Sequence, residues 1–217
     1  MNTITESKAT KINGYLAFLF FIGLLAFNAY LIYTMAENEA LGYLWVEIPL
    51  FILTMIYPVG FFVVQPNEAR VLVLFGKYIG SVRDSGFCYA NPFAIKRHVS
   101  LRIRNFNSEK IKVNDFHGNP IEIAAVVVWR VADSARALFD VDHYENFVAI
   151  QSETAIRALA SEYPYDAEDE EVPSLRGRPQ EISERMKHQV QSRLDIAGVE
   201  ITDARISHLA YSPEIAQ

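Results

Sequence analysis

Two long apolar stretches fall in the first third of this 217-residue chain, and they constrain its fold more than any other feature. Residues 12–36 carry no charged side chain, and neither do residues 48–64. A bilayer core of about 30 Å asks for roughly 20 apolar residues in helical form. The first stretch meets that length and the second meets it marginally, so two transmembrane helices are expected, at about 12–36 and 45–64. A cleaved signal peptide is a poor match for the first, because it is too long and ends on the bulky Tyr30, Leu31, Ile32 and Tyr33. The second has Glu47 at its entrance and Pro49 and Pro58 within it, and proline removes a helical hydrogen bond. A kinked span and a re-entrant segment are therefore both open for it.

Orientation follows from Lys and Arg near the spans. Lys8 and Lys11 precede the first, the connector 37–46 holds Glu37 and Glu39 with no base, and Arg70, Lys77 and Arg83 follow the second. Basic, acidic, basic reads as inside, outside, inside. The chain is expected in the cell membrane, multi-pass, with its globular part on the cytoplasmic side; a second segment that failed to cross would reverse that side.

About 150 residues remain for the globular part, enough for one sizeable domain or two small ones. The chain carries a net charge of −6, and the part behind the spans is mildly acidic, which argues against nucleic acid as a partner. The single cysteine, Cys88, rules out an intrachain disulfide and reads as a small buried hydrophobe.

Patterning places the elements. Residues 69–75 form an apolar run ended by Gly76, a buried strand. In residues 99–104, Val99, Leu101 and Ile103 alternate with Ser100, Arg102 and Arg104, which predicts a half-buried strand. Asp115–Pro120 is a turn by composition. Residues 121–131 form the strongest strand, with Ile121, Ile123, Ala125, Val127, Trp129 and Val131 on one face. Asp133 is an N-cap ahead of a short helix. Over 142–162, Tyr144, Val148, Ala155 and Leu159, widened by Phe147, Ile150 and Ala158, predict an amphipathic helix. Residues 167–179 read as a solvated loop; its acids lack the spacing of a calcium loop. Ile182, Met186, Val190 and Leu194 recur every fourth residue in a helix over 180–197 closed by Gly198, and 199–209 is a last strand. Strands, helices, then a strand make an α+β fold.

No nucleophile elbow, phosphate loop, HExxH or dinucleotide glycine pattern is present, and the five histidines are scattered. No catalytic residue, cofactor or metal ligand is assigned. One constellation remains. Six bases (Lys96, Arg97, Arg102, Arg104, Lys110, Lys112) stand against the single acid Glu109, just after Phe87, Tyr89 and Phe93 on a Gly- and Pro-bearing segment. Aromatics beside bases suit a bilayer interface with anionic lipid. The other reading puts the rings in the core and the bases in water. The membrane-interface candidates are Phe87, Tyr89, Phe93, Lys96 and Arg97.

The ordered series of segments resembles one family. VVQPNEARVLVLFGKYIGSVRDSGFCYANPF, then DFHGNPIEIAAVVVWRVAD, then AIRALASEYP, and finally RMKHQVQSRLDIAGVEITDARISHLAYSPEIAQ are together similar to the SPFH, or Band 7, superfamily of stomatins, prohibitins, flotillins and bacterial relatives. The resemblance implies a membrane scaffold without catalytic residues, assembling side by side into rings or cages that organise lipid microdomains. It implies two small α+β subdomains, 66–120 lying against the bilayer and 121–217 packing against neighbouring copies. Family members continue beyond the EIAQ position into a long assembly helix, so these residues alone are expected to associate weakly. Polar candidates for that contact are Glu168, Asp169 and Glu170 on the acidic loop and Arg185, Lys187 and Arg193 on the last helix. The rival reading is an accessory subunit that binds a membrane protease or a transporter.

Overall fold

The computed structural model describes residues 4–38, 42, 44–167 and 173–213. The chain folds as two compact units, Ser7–Ser100 and Leu101–Gln217, the latter joined by the tail ending at Glu6.

In the first unit a two-residue strand, β1 (Ile12–Asn13), leads straight into α1 (Gly14–Glu37). The Asn13 side chain accepts from the Tyr15 amide at 2.9 Å and starts the helix. The second apolar stretch is not one helix. It forms α2 (Leu44–Ile56), a 3-10 turn at Tyr57–Gly60, and then β2 (Phe61–Val64). The expected helix over 45–64 therefore stops at Ile56. Pro58 sits in the first positions of the tighter turn, and the Phe-Phe-Val-Val run behind Gly60 takes the extended form its aromatic and β-branched side chains favour.

The strands β3 (Glu68–Leu74) and β4 (Lys77–Val82) make a hairpin. They are followed by β5 (Gly86–Tyr89) and β6 (Ile95–Ser100). Two sheets result, ordered β1-β5-β2 and β4-β3-β6, with all strand pairs antiparallel. Val64, Leu72, Val82, Cys88 and Ala90 form the core between them. Cys88 is buried and reduced, as a small hydrophobe.

The second unit holds β7 (Arg104–Asn107), β8 (Ile111–Asn114), β9 (Pro120–Val131), α3 (Ser134–Phe139), α4 (Tyr144–Glu162), α5 (Pro179–Leu194) and β10 (Val199–Tyr211). Long β9 is the centre: β10 runs antiparallel along its whole length, and β7 and β8 share its other edge. Its six predicted apolar positions are all buried, Trp129 included. Ile182, Met186, Val190 and Leu194 of α5 are fully buried, and Gly198 adopts the left-handed conformation (φ 62°) that turns the chain into β10. The fold is α+β.

Three further sequence expectations shift. The strand over 99–104 breaks, because β6 ends at Ser100, pairing with β3, while Arg104 opens β7, pairing with β9. The chain changes units there, and Ile103 is left exposed. The expected division at 120/121 accordingly lies at Ser100/Leu101, since β7 and β8 are built onto β9. In α4 the buried seam runs through Val148, Ser152, Ala155, Ile156 and Leu159, whereas Ile150 is exposed. Ser152 belongs to that seam, so a pattern drawn from apolar residues alone is tilted off it.

Candidate functional site

The first candidate surface is the apolar helix pair. At 1.5 Å per residue, α1 is about 36 Å long. Its mean hydropathy reaches 2.1, and almost all of it is exposed. It is the one described helix long and apolar enough to cross a membrane. The shorter α2 packs against it through a polar clasp. Asn28 donates to the Thr54 hydroxyl at 3.1 Å and to the Leu24 carbonyl at 2.7 Å, both residues being buried. Nearer the globular end, the Tyr57 ring stacks on Phe21 and its hydroxyl donates to the Ala17 carbonyl at 3.3 Å.

The pair is seated on one strand. β1, just before α1, and β2, just after the 3-10 turn that follows α2, both pair with β5. The chain thus leaves into the apolar pair and returns from it at the same strand. Phe87 and Tyr89 of β5 form the seat. Phe87 stacks on Phe61 (5.2 Å between centroids) and meets Tyr15 edge-on. Tyr89 stacks on Tyr57 at 4.5 Å and meets Phe61 edge-on at 5.0 Å. Burial, then the neighbouring Tyr57, push the Tyr89 phenol up to about 12, so it stays neutral.

The five membrane-interface candidates therefore divide. Tyr89 is buried and Phe87 half-buried; their rings are spent on the helix pair and not offered freely outward. Lys96 is half-buried, donates to the Val59 carbonyl at 2.7 Å, and is pushed below its usual value by burial. It closes the end of the 3-10 turn. Phe93 and Arg97 are exposed. Phe93 has a partner that sequence reasoning passed over: Phe75, 87% exposed, stacks on it at 6.4 Å. Phe75 occupies the β3–β4 turn at φ 46°, followed by Gly76 at φ 83°. A bulky residue rarely takes positive φ, and such outliers concentrate at functional positions. Val59 and Ile95, both 60% exposed, extend this apolar end of the unit. The legible signal was the Phe placed directly before the turn glycine.

The second candidate surface belongs to the other unit. Glu168, Asp169 and Glu170 lie outside the described residues. Of the α5 bases, Arg185 is engaged within its own unit. It pairs with Glu181 at 3.1 Å and lies over the Tyr163 ring at 5.5 Å. An i,i+4 acid and an aromatic face hold its guanidinium, which remains about half exposed. Lys187 is half-buried; Arg193 is exposed and has no ion pair among the described residues. A further charged cluster of this unit lies elsewhere: Arg104 lies over Trp129 and Tyr144 and pairs with Glu145.

A model of the SPFH domain / Band 7 family matches residues 62–217. None of the curated proteins matches the chain.

Proposed function

The chain belongs to the SPFH domain / Band 7 family, and from that premise we propose that it is a non-enzymatic integral membrane scaffold. Copies associate through the SPFH domain into ring- or cage-like assemblies that organise patches of membrane. Family membership and the apolar α1 together point to membrane association. In this reading α1 and α2 form a hairpin in the bilayer, and the SPFH domain lies on the cytoplasmic side that Lys8, Lys11 and the bases after residue 65 mark.

The observation that carries the reading is the way the helix pair is tied down. A flexible linker would let a domain tumble beneath its anchor. Here β1 and β2 place both ends of the pair on β5, so the anchor is a continuation of a sheet. A scaffold needs that stiffness, because the position of each domain then fixes the position of its anchor among lipids. Phe75 and Phe93, with Val59 and Ile95 beside them, are the side chains of this unit suited to the interfacial layer, and Lys77 and Arg97 suit anionic headgroups. Copies meet through polar surface that includes Lys187, Arg193 and the acidic loop, contacts that steer more than they hold.

The test is mass in solution. The full chain, extracted in mild detergent, is sized by analytical ultracentrifugation across concentration at low and high salt. The expected result is a homo-oligomer that grows with concentration and loosens with salt. A monomer under every condition, or a small stoichiometric complex with another protein, overturns the scaffold.

A further inference from the structure

Glu47 is the least accommodated group among the described residues. It lies in the first turn of α2 and is 6% exposed, and neither carboxylate oxygen has a hydrogen-bond partner. Buried carboxylates are paired or hydrogen-bonded, because removing a charge or a polar pair of oxygens from water is costly. An ionisable residue at membrane depth marks a functional position. Glu47 lies two helical turns before Thr54 and so shares the seam that faces α1. Beside it is a cavity of about 210 Å³, lined by Leu31, Thr34, Met35 and Val46. Thr34 offers Glu47 nothing, since its hydroxyl already donates to the Leu31 carbonyl at 2.9 Å.

We propose that Glu47 and this cavity are the docking site for a membrane helix of a different protein, one that carries a basic side chain and seats it against the Glu47 carboxylate. Charge and size select this occupant. Between Lys11 and Arg70 the chain contains no Lys, Arg or His, so the apolar pair of a second copy has no cation to supply. The cavity is smaller than the roughly 300 Å³ at which small-molecule pockets begin, and suits one side chain. A zwitterionic lipid amine is the poorer fit. It brings its phosphate alongside the carboxylate, and no base in this segment is there to receive that phosphate. The inference rests on α2 lying in the bilayer and not on ring assembly.

The probe is a designed Leu/Ala transmembrane peptide with one Lys a turn inside its apolar stretch, compared with the same peptide bearing Leu there. Each is reconstituted with the full chain in phosphatidylcholine vesicles, and association is read by energy transfer between dyes on chain and peptide. The Lys peptide should bind the wild type about tenfold more tightly than the Leu peptide, and Glu47→Gln should erase the difference. Equal binding of the two peptides, or an unchanged preference in Glu47→Gln, overturns the proposal. So does loss of the preference when phosphatidylethanolamine is added, which would make a headgroup the occupant. Quenching of Trp45 by brominated lipid, in a Trp129→Phe background, reads the depth of α2 separately. Trp45 is 88% exposed at the start of that helix and should be quenched. An unquenched Trp45 removes the membrane placement itself, whereas a quenched Trp45 without peptide preference removes only the docking site.

Discussion

Asp115 shows how much one side chain settles. It is 5% exposed in the turn between β8 and β9. Its carboxylate accepts the amides of His117 (2.9 Å), Asn119 (2.8 Å) and Tyr165 (3.1 Å), and the Asn119 side chain at 3.2 Å. Burial pushes its pKa up, and the donors from Tyr165, Asn119 and His117 outweigh that and hold it below the ordinary aspartate value. A carboxyl lowered on folding stabilises the fold above its unfolded pKa, near 3.9, and loses that contribution as pH falls through its folded value. Asp115→Asn keeps the shape but turns a donor toward at least one amide, a cost of about 1–3 kcal/mol at neutral pH. Thermal unfolding of the full chain in detergent should show that deficit at pH 7 and a smaller one below about pH 4. A deficit independent of pH would mean that the charge is not what the turn uses. The turn itself was legible in its Asp, Gly, Asn and Pro. The closure onto Tyr165, fifty residues on, was not, because nothing local to Asp115 encodes where that amide lies.

Among the elements, the junction after α2 depends on one missing methyl group. Gly60 is buried where the 3-10 turn meets β2, and a Cβ built there lies 2.4 Å from the Tyr89 ring and 2.6 Å from the Ala90 carbonyl oxygen. The ring can tilt, but the carbonyl is backbone, and Ala90 is itself tied to Gly60, its N–H donating to the Gly60 carbonyl at 3.1 Å. Gly60→Ala should therefore cost about 1–3 kcal/mol through overpacking and loosen the β2–β5 pairing. Hydrogen exchange should rise at Phe61–Val64 and Gly86–Tyr89 and leave β9 and β10 unchanged. Exchange unaltered at β5 would mean that the seat does not hold the helix pair. The same scale explains α4 and the second apolar stretch. In each, composition announced an apolar element. Its face or its end was decided by packing partners: the seam through Ser152 in one case, the pairing of Phe61–Val64 with β5 in the other.

For the whole molecule, the open quantity is sidedness. Bases before α1 and after β2, with acids in the connector, predict that both ends of the pair lie on one side, and β1 and β2 both pair with β5. Single cysteines at Thr5, Asn38 and Lys110, all exposed, in a Cys88→Ala background, can be labelled in intact cells with an impermeant thiol reagent. Labelling of position 38 alone is expected. Labelling of position 110 from outside would reverse the orientation, and labelling at none of the three would mean that the connector does not reach the outer face.

The sequence by itself determined the apolar α1, the α+β class, the apolar face of β9, the Ile182–Leu194 stripe of α5, and the order of segments that marks the family. Each is written in a period or a run of side chains, and local physics reads such patterns without knowing their partners. Tertiary structure alone decided the rest: that Phe87 and Tyr89 pack under the helix pair, that Phe75 joins Phe93, that Arg185 is held by Glu181 and Tyr163, and that Glu47 is buried without a partner. An aromatic or charged side chain carries the same local signal whether it faces water, lipid or another ring. Which of these it meets depends on residues far along the chain, brought near only when the sheets close.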